Sequence, residues 1–95
     1  MIRFSEVEEL EEVKIDSLLD EGSSIILFND EVNTFDHVIH CLVKYCKHTD
    51  EQAEQCSMIV HYKGKCNVKK GSYVELKPIC EALQQKGLSA VIEEN

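Results

Sequence analysis

The chain lacks several features that particular functions require. Its 95 residues carry ten Lys and Arg against eighteen Asp and Glu, and the net charge of −8 argues against a nucleic-acid binder, since phosphates need basic side chains opposite them. No apolar run approaches the ~18–20 residues of a membrane span. The opening MIRFSEVEELEE lacks the basic start and apolar core of a signal peptide. We therefore expect a cytoplasmic protein with no nucleic-acid or membrane partner.

Glycine is scarce, and its four copies are scattered along the chain. No G-x-S-x-G elbow, Walker loop or dinucleotide-binding fingerprint is present. A cysteine nucleophile needs a paired base, and Cys56 and His61, five residues apart on one predicted helix, should not meet. The sequence therefore predicts a protein that is not an enzyme and uses no cofactor. Domains of this size bury only ~60–65% of their unfolded surface, which favours a shallow surface site.

Paired metal-ligand motifs are also missing, because no cysteine belongs to a C-x-x-C or C-x-x-H pair. The spacing of His37, His40 and Cys41 could place two side chains on one helix face, but all three fall off the predicted apolar stripe, and the two histidines should face solvent. Structural zinc usually has four ligands, so we expect no metal site. An odd number of cysteines in a reducing compartment disfavours structural disulfides. We interpret the five as small buried apolar residues: Cys41, Cys46, Cys56, Cys66 and Cys80.

Acidic residues are concentrated at the start of the chain. Residues 1–23 carry a net charge of −6, and residues 24–95 carry −2. We interpret 1–23 as an acidic, flexible N-terminal extension and 24–95 as the folded domain, with Gly22-Ser23-Ser24 as a hinge between them. A partner-docking arm is the alternative, but the sparse apolar residues of the extension favour a solubilising leader.

Apolar periodicity and capping patterns predict three strands and three helices. Short β-branched runs between turn residues indicate strands, whereas apolar residues at helical spacing behind a Ser or Thr cap indicate helices. The predicted strands span residues 25–28, 66–68 and 90–92, and the predicted helices follow caps at Asn33 or Thr34, Thr49 and Ser72 and stop near Cys46, Gly64 and Gly87. Pro78 should bend the third helix or move its start. The order β-α-α-β-α-β predicts a small α+β sandwich with helices on one side of a sheet.

The densest polar cluster, NDEVNT at residues 29–34, lies between the first predicted strand and the first helix. These residue types commonly form turns and caps, which is the simplest interpretation of the cluster alone. Its two acids and two asparagines nevertheless offer more acceptors than a turn requires, enough to hold a cation such as an ammonium group. His61 is a second candidate, either a partly buried histidine with one bonded nitrogen or a hydrogen-bond partner for a ligand.

Two segments together resemble the ClpS family, the adaptor of the ATP-dependent Clp protease. They are NDEVNTFDHV at residues 29–38 and VHYKGK at residues 60–65. Two separated motifs in register are more specific than either alone, and the resemblance covers about residues 24–95. It implies a ClpS-like adaptor domain with a three-stranded antiparallel sheet and three helices, which agrees with the predicted element order.

The resemblance also implies a function. Members of this family bind proteins whose first residue is Leu, Phe, Tyr or Trp and deliver them to a Clp ATPase–protease without being enzymes themselves. We therefore expect two partners, N-degron substrates and the N-terminal domain of a Clp-family ATPase, and a monomeric protein. Carried over by position, the residues that contact the α-ammonium group and first peptide are Asn29, Asp30, Asn33 and His61. The residues implied to line the apolar pocket are Phe35, Val38, Ser57, Val60 and Leu88.

Ser57 departs from the family pattern, in which a Met at this position narrows the pocket. The smaller side chain predicts a wider or wetter pocket, with weaker exclusion of β-branched first residues or a preference for larger aromatic ones. The stretch after Gly64 does not align clearly with the family's ATPase-docking surface, so we assign no docking residues. Two other functions stay open: a ribosomal-stalk-like docking domain with a different protein ligand, which needs no ammonium site, and a metal- or thiol-dependent protein.

Overall fold

A computed structural model describes residues 22–94. Its elements are β1 Ser23–Phe28, α1 Phe35–Cys46, α2 Asp50–Lys63, β2 Lys65–Gly71, α3 Tyr73–Gln85 and β3 Ser89–Glu94. The predicted order β-α-α-β-α-β and the α+β class are confirmed. The second and third strands are longer than predicted, because both pair with β1 along its whole length.

The three strands form one antiparallel sheet in the order β2-β1-β3. In the central strand, Ile25 and Leu27 are 0% and 1% exposed, whereas Ile26 and Phe28 are only half-buried. Successive side chains of a strand point to opposite faces, so the helices cover the face that carries Ile25 and Leu27. A register shift between Ile25 and Ile26 leaves Val68 of β2 without a partner in the ladder.

The predicted hinge at Gly22-Ser23-Ser24 is wrong for its two serines. Ser23 and Ser24 are buried and belong to β1, with Ser23 opposite both Gly71 and Glu94. Because β1 is central, neighbours on both sides hold this end of the strand in place. The rest of the predicted acidic extension, residues 1–21, lies outside the described residues, and the division of the chain at 23/24 stays a prediction.

Local side-chain caps start all three helices where the sequence predicted. The Thr34 hydroxyl accepts from the His37 backbone N–H at 3.1 Å, and Thr49 forms a complete capping box with Gln52. Ser72 caps the start of α3, so Pro78 does not move that start. The second helix ends at Gly64, whose φ of +90° is the left-handed conformation that favours glycine.

Cys41 is 1% exposed although it lies off the predicted apolar stripe, so α1 buries more of its surface than that stripe. The first helix packs against α2 and also against α3 and β2, which gives it an apolar surface wider than one stripe. Cys46 and Cys80 are buried as well, whereas Cys56 and Cys66 are half-buried, and all five are free thiols. Burial raises the pKa of Cys46 to about 11 and, together with the neighbouring Cys66, that of Cys56 to about 12. Thiols with such pKa values are protonated at neutral pH and therefore poor nucleophiles.

The described part of the chain holds neither a membrane-spanning helix nor a cluster of metal-ligand side chains. Between residues 22 and 94, no helix is long and apolar enough to cross a bilayer. Over the same residues, no group of three or more His, Cys, Asp or Glu side chains is placed to hold a metal ion.

Candidate functional site

One cavity brings together all the residues that the sequence singled out for binding. It lies where the end of β1, the start of α1, the last turns of α2 and the turn from α3 to β3 meet. It holds about 360 Å³ of space, part of it open to solvent, and is lined by Leu27, Phe28, Asn29, Asp30, Asn33, Phe35, Val38, Ser57, Val60, His61 and Leu88. Leu27 and Phe28 are additions to the predicted set. The binding roles of these residues stay a prediction.

The cavity has an apolar floor and a polar rim. Leu27, Val60 and Leu88 are each at most 5% exposed and form the floor. Asn29 and His61 are exposed at the rim, and Asp30 is half-buried beside them. A ligand that enters this cavity would therefore place an apolar group inside and meet hydrogen-bonding groups at the mouth.

The Asp30 carboxylate organises the loop between β1 and α1. Its Oδ1 accepts from the backbone N–H groups of Val32 at 3.0 Å and Asn33 at 2.8 Å, and its Oδ2 accepts from Asn33 Nδ2 at 2.7 Å. The hydrogen bond from the Asn33 backbone lowers the pKa of Asp30, so the group is an anion at neutral pH. A carboxylate has roughly four acceptor positions, and the loop uses three. One acceptor position, on Oδ2, is left for a ligand.

Asn33 joins this loop to a distant turn. Its Nδ2 donates to Asp30 Oδ2 and also, at 2.8 Å, to the carbonyl oxygen of Gly87. An amide NH₂ has two hydrogens, so both are used within the protein. Only the Asn33 Oδ1 atom is left to contact a ligand, and it can only accept a hydrogen bond.

Asn29 and His61 are rim residues whose side chains make no hydrogen bond within residues 22–94. The Asn29 backbone N–H donates to the Gly64 carbonyl at 2.8 Å, which fixes the end of β1 against the end of α2. The His61 ring contacts the rings of Phe35, at 5.2 Å between centroids, and Tyr62, at 5.0 Å. The interpretation of His61 as a partly buried histidine is wrong, because it is exposed. Among residues 22–94, neither its ring nitrogens nor the Asn29 amide have a hydrogen-bond partner, so both can bind a ligand.

Ser57 lies in the cavity wall and is 3% exposed. Its hydroxyl donates to the Ala53 carbonyl at 2.8 Å, one turn earlier in α2. The only donor of this side chain is directed to its own helix, but its oxygen can still accept a hydrogen bond. Whether Ser57 makes the pocket wider or wetter therefore stays a prediction.

His37 makes a long-range contact beside the cavity that the sequence did not predict. It was predicted to face solvent, but it is half-buried, and its Nε2 lies 2.8 Å from the Lys86 carbonyl oxygen and 3.7 Å from Cys41 Sγ. The turn from α3 to β3 covers this end of α1, which explains the burial. The contact joins residues 49 apart in sequence, so no local pattern could have revealed it. His40, three residues after His37 in α1, is exposed as predicted.

A comparison with protein-family models decides the classification. The model of the ATP-dependent Clp protease adaptor protein ClpS matches residues 20–91, about three-quarters of the chain. The chain belongs to the ClpS family. ClpS proteins are substrate adaptors of the Clp protease and not enzymes. This role gives no support to the hypothesis of a metal- or thiol-dependent protein.

Individual ClpS proteins extend this result. The ClpS adapter of Thermosynechococcus vestitus is 36% identical over 66 residues, which cover 68% of this chain and 70% of the relative. That of Streptomyces coelicolor is 30% identical over 70 residues, or 74% and 73% of the two chains. Among solved structures, Agrobacterium tumefaciens ClpS2 bound to L-phenylalaninamide superposes with a TM-score of 0.66 at 16% identity, covering 77% of this chain and 95% of that one. This likeness confirms the fold, with its three-stranded antiparallel sheet and three helices.

Proposed function

We propose that this chain binds proteins whose first residue is hydrophobic or aromatic, such as Leu, Phe, Tyr or Trp, and delivers them to a Clp ATPase–protease. It recognises the free α-amine and the first side chain. One observation carries the proposal: three side chains lie at the mouth of an apolar cavity, the ionised carboxylate of Asp30 and the side chains of Asn29 and His61, which have no hydrogen-bond partner in the described part of the chain.

The rim suits a chain N-terminus. A free α-amine has a pKa of ~7.7–8.0 and is largely charged at neutral pH. Three groups can each accept one of its hydrogens: the open acceptor position of Asp30, the side-chain carbonyl oxygen of Asn29 and a neutral ring nitrogen of His61. Charge-assisted hydrogen bonds of this kind are roughly twice as strong as neutral ones. An internal peptide has no ammonium group and would leave these acceptors unpaired, which is how the site rejects it.

The floor suits a large apolar side chain. Burial of a Leu or Phe side chain contributes ~1.5–3 kcal/mol. The floor residues Leu27, Val60 and Leu88 present only apolar side-chain atoms, so a charged first residue would lose its hydration without gaining a partner. The compound held by Agrobacterium tumefaciens ClpS2, L-phenylalaninamide, combines a free α-amine with an aromatic side chain. These are the two groups that the rim and the floor of this cavity match.

The remaining partner assignments belong to the same proposal. The receiving partner is the N-terminal domain of a Clp-family ATPase, and the adaptor acts as a monomer in the cytoplasm. A ribosomal-stalk-like docking domain is the weaker alternative, since such a domain has no use for the anion and acceptors at this rim.

Fluorescence anisotropy with short labelled peptides tests the proposal. The peptides differ only at the first residue, which is Phe, Leu, Ile or Ala, and a fifth peptide carries N-acetylated Phe. We expect Phe and Leu to bind most tightly and acetylation to abolish binding. Equal binding of all five peptides, or binding of none, would overturn the proposal.

A matched pair of variants locates the ammonium site. Asp30→Asn removes the charge but keeps an oxygen that can accept from the loop backbone, so the loop is retained better than with alanine. Glu31→Gln makes the same change of charge at the exposed neighbouring residue and is the control. We expect Asp30→Asn to weaken Phe-peptide binding at least tenfold and Glu31→Gln to change it less than twofold. Equal effects of the two variants would show a general charge effect instead of a site at Asp30.

Delivery is tested separately with the full chain. A reporter protein that begins with Phe is incubated with a Clp ATPase–protease, with and without the adaptor. We expect the adaptor to accelerate loss of this reporter and not of one that begins with Ala. Acceleration of both reporters, or of neither, would contradict the delivery step.

A further inference from the structure

The turn between α3 and β3 carries one wall of the cavity. Leu88, the first residue after this turn, is 4% exposed and forms the side of the apolar floor that lies next to α3, which we call the Leu88 wall. Lys86 and Gly87, immediately before it, are exposed. The position of a buried wall residue therefore depends on a short and otherwise solvated segment.

The third helix holds this turn from one side. The Leu88 N–H donates to the Leu83 carbonyl at 3.1 Å, and the Gly87 N–H donates to the Gln84 carbonyl at 3.0 Å. With Gly87 at a φ of +86°, these two bonds form a Schellman motif, in which the residue after the glycine packs against the last turn of the helix. Leu83 is 0% exposed, consistent with that contact.

The start of α1 holds the same turn from the opposite side. Asn33 Nδ2 donates to the Gly87 carbonyl at 2.8 Å, and His37 Nε2 lies 2.8 Å from the Lys86 carbonyl. The consecutive carbonyls of Lys86 and Gly87 are thus bonded by two side chains four residues apart. Asn33 lies just before α1, and His37 lies in its first turn. We call this pair of contacts the carbonyl clamp.

We propose that the carbonyl clamp fixes the Leu88 wall, and that His37 is in this way a positioning residue for first-residue selectivity. His37 does not line the cavity and acts through the Lys86–Leu88 turn. The inference rests on the proposed function, because it concerns which first side chains that cavity accepts. A clamped turn keeps Leu88 at one distance from Val60, whereas a released turn lets the wall move and the cavity adapt to other side chains.

The clamp has a chemical signature. A carbonyl oxygen only accepts hydrogen bonds, so His37 Nε2 must carry the hydrogen. The contact therefore selects the Nε2–H tautomer of the neutral ring. Long-range ¹H–¹⁵N correlation spectra of the wild-type chain distinguish the two tautomers. We expect Nε2–H for His37, and the Nδ1–H form would overturn the clamp.

Three variants and two peptides test the role in selectivity. His37→Leu removes the donor, His37→Gln keeps an N–H donor at a similar reach, and His40→Leu makes the same change at an exposed histidine of α1. The quantity measured is the ratio of the Kd for an Ala-initiated peptide to the Kd for a Phe-initiated peptide. An Ala side chain barely reaches the Leu88 wall, so this ratio isolates the wall from the ammonium site.

We expect His37→Leu to lower this ratio about two- to tenfold, the range that one hydrogen bond spans, and the other two variants to leave it within twofold. An equal loss for both peptides in His37→Leu would show a merely structural role and overturn the proposal, as would an unchanged ratio. Should His37→Leu fail to fold, the tautomer in the wild-type chain still decides. If the wild-type chain binds neither peptide, the proposed function itself fails, a result distinct from an unchanged ratio.

Discussion

Asn33 Nδ2 and the Gly87 carbonyl oxygen are 2.8 Å apart, although 54 residues separate them in the chain. The same Asn33 amide also donates to Asp30, the anion at the rim of the cavity. One side chain therefore connects the group proposed to bind an α-amine with the turn that presents Leu88 to the first side chain. The two halves of the site are held in a fixed relation by hydrogen bonds inside the protein.

Ser57 is predicted to broaden selectivity at the first residue. Its hydroxyl donates to the Ala53 carbonyl, which within the helix also accepts the backbone N–H four residues on, so replacement of Ser57 by Met fills the cavity without leaving that carbonyl unbonded. We expect the wild-type chain to bind Ile- and Val-initiated peptides better than an Ala-initiated one. In Ser57→Met, this β-branched binding should fall by about tenfold, the lower end of the effect of small volume changes in an apolar pocket.

Competition anisotropy with the same peptides measures the change, and Leu-initiated peptides are the internal control, since the unbranched Cβ should still fit. The prediction is wrong if Ile- and Val-initiated peptides bind the wild-type chain no better than Ala. Thermal unfolding of Ser57→Met shows whether the larger side chain has strained the helix packing instead.

Stability should depend on acid through Asp30. The Asn33 backbone N–H, the largest contributor, lowers the folded-state pKa of this carboxyl below its ordinary value of 3.8. A depressed pKa stabilises the folded state above the unfolded-state pKa, and this stabilisation is lost as the pH falls through the folded-state pKa. Asp30→Asn should therefore be less stable than wild type at pH 7, with a difference that shrinks as the pH falls from the ordinary pKa of 3.8 through the lower folded-state pKa.

Urea denaturation between pH 7 and pH 2 measures this difference. Glu31→Gln again controls for charge, and it should show no comparable pH-dependent gap. A gap of constant size across the whole range would mean that the charge of Asp30 contributes nothing and that packing alone is responsible.

The cysteines should react slowly in the folded protein. Burial raises the pKa of Cys46 to about 11, and burial with a neighbouring thiol raises that of Cys56 to about 12. Because the thiolate is the reactive species, we expect alkylation of Cys46 and Cys56 by iodoacetamide at pH 7.5 to be at least about tenfold slower than in urea-unfolded chains. Mass spectrometry of peptides gives the rate for each residue. Rapid labelling of Cys56 in the folded chain would restore the thiol-dependent function as a candidate.

Local sequence rules account for much of the fold. The caps at Thr34, Thr49 and Ser72 each bond a backbone N–H three residues away, so a window of four residues predicts them. The first strand is visible as a short apolar run, and the stripes of the helices are visible as periodicity. Two motifs, at residues 29–38 and 60–65, were enough to name the family and to select side chains that the structure places in one cavity.

The features that local patterns did not predict have a common cause. Each concerns a residue that is buried by an element distant in sequence and not by its neighbours along the chain. Ser23 and Ser24 resemble a hinge by composition, but strands on both sides bury them in the sheet. Cys41 lies off the stripe of its own helix and is buried because other elements cover that flank. Burial by a distant element leaves no mark in the local pattern.

Local sequence patterns alone predict where the helices start and which polar residues follow the first strand. Only the folded chain shows which distant groups those residues contact: Asn33 Nδ2 donates to the Gly87 carbonyl, and His37 Nε2 lies 2.8 Å from the Lys86 carbonyl in the turn before Leu88. The physical reason is range. Caps and amphipathic faces are set within one or two helical turns, whereas a cavity wall is set by hydrogen bonds between carbonyls and side chains that folding alone brings together.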